Sequence, residues 1–166
     1  MSYLLAFPVI LFSIMMQMVV VNKLSLLYGY ADMLLLVIIV YAMHPRAGRS
    51  WFWALLAGLI YGYISKMPFL VPIVVFASMI FAAQYIKKRI WQMPVLAYIF
   101  LVIIGTFMFQ VLSLLALKFT GSILPIMESL NLIVIPSVLL NLIFAVPVYY
   151  ILNDFLDVVF VEKINQ

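Results

Sequence analysis

The sequence predicts an all-α integral membrane protein folded as a single six-helix transmembrane bundle, and three observations carry that reading. Of the 166 residues, 69% are hydrophobic and 8% are charged, with a mean hydropathy of +1.32. A soluble domain averages about 45–50% apolar and about 25% charged residues, and a water-borne globule of this size cannot hide the excess. Charge, Pro and Gly divide the chain into six apolar stretches, each close to the ~20 residues that cross a bilayer. These runs are continuous rather than alternating, which selects helices over barrel strands.

The first span covers residues 3–21 and carries Ser13 and Gln17 one helical turn apart. With no Lys or Arg before residue 23 and no small-residue cleavage site, it is not read as a removable signal peptide. The second span, 26–43, includes Asp32, read most simply as a charge favoured at a helix N-terminus after a turn over 28–31, with a functional acid as the alternative. The third, 50–65, places Ala54, Gly58 and Gly62 four apart, a face on which a neighbouring backbone can approach closely.

The fourth span covers 69–86, and the fifth, 91–117, carries Thr106, Gln110 and Ser113. The sixth, 132–152, has Ser137, Asn141 and Ala145 on one strip, Pro136 suited to a first turn, and Pro147 eleven residues further on. Amides in hydrocarbon need partners, so Gln17, Gln110 and Asn141 are expected to bond across helices rather than face lipid. Residues 118–131 form the longest outer connection, either a short surface helix or a docking segment. The tail, 153–166, reads as a helical extension with an apolar side of Phe155, Leu156, Val159 and Phe160.

With six spans both ends share a side with Arg46, Arg49, Lys87, Lys88, Arg89 and Lys163, six of the nine basic residues. Lys23, Lys66 and Lys118 lie opposite. That excess puts both termini in the cytoplasm. Trp51, Trp53 and Trp91 flank the basic loops, where indole rings sit at headgroup level. The net charge of +4 is scattered between apolar runs rather than gathered on a face, so nucleic acid is not expected as a partner; membrane lipid is.

No chemistry is expected inside the bundle. The chain has no Cys and one His, which excludes disulfides, thiol catalysis and the usual zinc sites. No ionisable residue lies mid-span, where ion pathways and catalytic centres place them. His44 beside Pro45 reads as a loop residue, and Asp32 and Glu128 have no spacing that makes them a carboxylate pair. No enzyme, cofactor or metal site is expected.

The stretch Ile135-Pro136-Ser137-Val138-Leu139-Leu140-Asn141-Leu142, continuing through Ala145, Pro147, Tyr149 and Tyr150, resembles the last span of the rod shape-determining membrane protein family MreD. Gln17 in the first span, Ala31-Asp32-Met33-Leu34 at the second and Gly58-Leu59-Ile60 in the third are similar to other marks of that family. Ala31, Gly62 and Leu70 stand where the family often has Pro, Asp and Gly, so no role of that Asp is carried over.

The resemblance implies a non-enzymatic scaffold subunit of the bacterial cell-elongation, or rod-shape, complex in the cytoplasmic membrane, supporting peptidoglycan synthesis and cell-shape control. Its implied direct partner is MreC, with RodA, a penicillin-binding transpeptidase and the MreB filament in the wider assembly. The expected mode is a partner helix along a lipid-exposed groove of small residues, with Gly58 and Asn141 as its markers. The rival is a substrate-binding subunit of an energy-coupling-factor vitamin transporter, a six-span fold similar to that of MreD; its pocket would draw on Asp32, Glu128 and Gln110. An ion channel would need the charged interior that is lacking.

Overall fold

A computed structural model describes residues 2–19, 23–45, 50–65, 70–89, 93–119 and 126–161, with side chains from Phe7 onward apart from residues 126 and 161. Five separate helices come first: α1 (Ser2–Val19), α2 (Met33–Met43), α3 (Ser50–Ile64), α4 (Leu70–Arg89) and α5 (Pro94–Phe119). The sixth is a continuous run made of α6 (Ile126–Ser129), a π-helical stretch (Leu130–Val134) and α7 (Ile135–Val161). Among the described residues, three helices are long and apolar enough to cross a membrane: α4, α5 and the final run over Met127–Phe160. Phe7–Val19 of α1, all of α2 and all of α3 are apolar but shorter. Arg46, Arg49, Lys66, Trp91, Gly121, Pro125, Glu162 and Lys163 lie outside the described residues.

The centre of the bundle is α2. Every residue from Leu34 to Met43 is buried, and the helix packs against α1, α3, α4, α5 and α7. A helix apolar on all sides is one enclosed on all sides. Its 11 residues rise only about 16 Å, roughly half of a ~30 Å hydrocarbon core.

The second element therefore differs from the expected span of 26–43: residues 26–32 are not helical. Leu27 adopts a left-handed φ of 55°, Leu26 and Gly29 pair across a tight turn, and Asp32 caps α2 by accepting from the Leu35 N–H at 3.2 Å. Hydropathy could not distinguish this segment from a helix, because Leu24, Leu26 and Leu27 are as apolar as any span residue. Irregular backbone at membrane depth survives only where protein satisfies it. Here the last helix does so at every second residue: the N–H groups of Tyr28, Tyr30 and Asp32 donate to the Leu132 carbonyl (3.2 Å), Ser137 Oγ (3.2 Å) and Asn141 Oδ1 (2.7 Å).

Pro136 explains the first of these bonds. A regular α-helix would fill the Leu132 carbonyl with the N–H of residue 136, which Pro lacks. The helix widens into its π-helical stretch just before Pro136, and Tyr28 takes the carbonyl instead. Gly29 is required by the same approach: a Cβ there would lie 2.6 Å from Ser137 N and 2.7 Å from Pro136 Cβ. Pro136 thus stands in the first turn of α7, as expected, while α7 itself continues a helical run that begins ten residues earlier, at Ile126.

At the opposite end the last helix extends to Val161, so the expected tail is a continuation of α7 at least to that residue. His44 is no plain loop residue; it ends α2, is buried, stacks on Phe160 with ring centroids 5.3 Å apart and meets Asp157 Oδ1 at 3.3 Å. Lys87 Nζ donates to the His44 carbonyl, joining the ends of α2, α4 and α7. Trp51 is exposed, whereas Trp53 is buried and stacked on Tyr41 with ring centroids 3.8 Å apart.

Candidate functional site

The amides and hydroxyls scattered along the sequence converge on one buried polar network at the end of the bundle where α1 and α3 finish. Asn141 of α7 is its hub: Oδ1 accepts from the Asp32 N–H, and Nδ2 donates to Thr106 Oγ1 of α5 at 2.8 Å. One turn earlier on α7, Ser137 Oγ accepts from Tyr30 N–H and from Gln110 Nε2 of α5 at 3.1 Å. The Tyr30 phenol interacts with the same Gln110 side chain. Gln17 Nε2 of α1 donates to the Tyr61 hydroxyl of α3 at 3.2 Å. Gln17 and Tyr61 line, together with Tyr30, one cavity at this end of the bundle.

Gln17, Asp32, Gln110, Ser137 and Asn141 are all at least nine-tenths buried. The hydroxyls of Ser13, Thr106 and Ser113 donate to carbonyls one turn back, at Val9, Val102 and Phe109. Their protons therefore go to backbone oxygens and not to a general base. Among the described residues no three His, Cys, Asp or Glu side chains are grouped to hold a metal. Glu128, on α6, is exposed and separate from the network.

The small-residue faces point inward. Ala54, Gly58 and Gly62 are buried, and a Cβ on Gly58 would lie 2.9 Å from the Ile73 Cα of α4. This stripe brings α3 and α4 together, as such stripes do in membranes. Gly58 and Asn141 consequently do not line a lipid-exposed groove, and the expectation that a partner docks on those faces is corrected. Pro147 lies on an exposed side of α7 with Ile143 also exposed, while Ala145 is buried.

Two residues absent from the sequence expectations belong to the network, Tyr30 and Tyr61. Both rings were counted as apolar, and nothing in a hydropathy pattern distinguishes a membrane Tyr whose hydroxyl is bonded from one that only packs. Gly29 is the third omission; a glycine within an apolar run is the one signal that pointed to it.

The outer surface carries a different feature. Between α1, α2 and α7 runs an apolar groove of about 530 Å³, walled by Phe12, Met16, Met33, Val148, Ile151 and Phe155 among others. Phe12 and Ile151 are 62% and 71% exposed, so the groove opens to the surroundings of the bundle. A cavity of about 310 Å³ opens between the ends of α1 and α3, and another of about 340 Å³ lies by His44, Lys87 and Asp157. Comparison with protein-family models, curated proteins and solved structures finds no match.

Proposed function

We propose that this chain is a non-enzymatic scaffold subunit of the MreD type in a bacterial cell-elongation complex, and that it holds the transmembrane helix of an MreC-type protein. The observation that carries the reading is the apolar groove between α1 and α7. A helix presents ridges of side chains spaced for such a groove, and in lipid the attraction comes from close packing rather than from water exclusion. Thr106, Gln110, Ser137 and Asn141 bond to one another inside the bundle, whereas the groove lies open on its surface.

In this reading the protein is a multi-pass component of the bacterial cytoplasmic membrane with both ends in the cytoplasm. Lys87, Lys88 and Arg89 close α4 at the end of the bundle where α2 and α7 also finish, in keeping with a cytoplasmic position for that end. Through MreC the chain reaches RodA, its penicillin-binding transpeptidase and MreB.

Co-purification after mild detergent extraction tests the proposal. Phe12→Ala combined with Ile151→Ala, both on exposed groove positions, is expected to lose the MreC-type partner while the protein still elutes as a folded species. Undiminished recovery of the partner would overturn it.

A further inference from the structure

The α7 wall of the apolar groove has a regular spacing. Val148, Ile151 and Phe155 line the groove, and Val158, next in the same series, is 65% exposed. Steps of three, four and three residues are those with which the a and d positions of one helix meet a second helix. With Val148 and Phe155 at a, and Ile151 and Val158 at d, Asp154 stands at g, the flank from which a charge reaches across a two-helix seam.

Among the described residues no charged side chain lines the groove itself. Asp154 is exposed and, among the described residues, makes no hydrogen bond or ion pair. Asp157 lies at c, away from the seam, where it accepts from Asn153 Nδ2 at 3.2 Å and meets His44. Asp154 is therefore an acid beside an apolar groove with its charge uncommitted.

In the scaffold reading, on which this inference rests, that end of α7 faces the cytoplasm. A membrane-spanning helix is flanked on the same side by Lys and Arg. Apolar walls are indifferent to which end of a helix lies where, whereas a carboxylate is not. We propose that Asp154 receives a Lys or Arg at the cytoplasmic end of the partner's transmembrane helix, so that the groove selects a helix with a basic flank and fixes the end that lies beside Phe155. Packing in the groove supplies the attraction, and the ion pair supplies the direction.

The test is co-purification of the full chain with the MreC-type protein, with Phe12→Ala combined with Ile151→Ala as the measure of the groove alone. Asp154→Lys replaces attraction by repulsion and is expected to lower recovery of the partner about fivefold at ~50 mM salt and less at ~500 mM, where surface charges are screened. Glu128→Lys makes the same change of charge at an exposed position near the start of the last helical run, and is expected to leave recovery unchanged. Changing the partner's flanking Lys and Arg to Glu is expected to restore binding to Asp154→Lys and to weaken binding to the native chain. If the groove variant loses the partner and Asp154→Lys keeps it, the scaffold reading stands and this inference is overturned; if both keep it, both are overturned. Equal losses from Asp154→Lys and Glu128→Lys, no rescue by the reversed partner, or a second copy of this chain recovered in the partner's place would each overturn the inference as well.

Discussion

The backbone N–H of Asp32 is bound by the side-chain oxygen of Asn141 at 2.7 Å, across 109 residues of sequence. This bond, with those of Tyr28 and Tyr30 to the same helix, lets a non-helical segment lie beside α7 where a bilayer offers no water to satisfy it.

Asn141→Leu removes the acceptor for Asp32 and the donor for Thr106 together. Each interhelical bond in a membrane protein is worth roughly 0.6–2 kcal/mol, so the variant is expected to lose about 2 kcal/mol, read by denaturant titration. Asn141→Asp is expected to lose more, because it sets a second carboxyl beside that of Asp32.

Gly29, Gly58 and Gly105 are expected to respond differently to Ala. At Gly29 and Gly58 the added Cβ meets backbone, of Ser137 and Ile73, and overpacking of that kind costs about 1–3 kcal/mol. At Gly105 the obstacle is the Met79 sulfur at 3.0 Å, which a flexible side chain can withdraw. Thermal unfolding should therefore rank Gly105→Ala as the mildest of the three.

Pro136→Ala restores the N–H that competes with Tyr28 for the Leu132 carbonyl. The expected result is faster hydrogen exchange at the Tyr28 amide, with α7 itself unharmed. Unchanged protection would mean that the proline does not govern this bond.

At the other end, magnitudes separate two contacts of the same residue. The Asp157 side chain that meets His44 is 54% exposed, and exposed ion pairs contribute less than about 1 kcal/mol. Phe160, stacked on His44, is 8% exposed, and truncating a buried Phe costs about 3–5 kcal/mol. Asp157→Asn is expected to melt near the native temperature and Phe160→Ala well below it.

The sequence made the helices legible through continuous apolar runs, and it marked Gln17, Gln110, Ser137 and Asn141 as inward-facing because amides and hydroxyls avoid hydrocarbon. It did not show that residues 26–32 leave the helix, since hydropathy reports burial and not backbone shape. Nor did it show that the Gly58 face serves α4 instead of a partner: a small residue states that a backbone comes near, not whose. The groove between α1 and α7 was invisible for the same reason. Its walls are ordinary Phe, Met and Ile, and only their juxtaposition makes a concave surface.

Site-specific photo-crosslinking in cells tests the central claim most directly. A photoreactive residue at Ile151, in the groove, is compared with one at Phe100 on α5, which is 56% exposed. The account predicts a crosslink to the MreC-type transmembrane segment from position 151 and none from position 100. A crosslink from position 100 with none from 151 would contradict it.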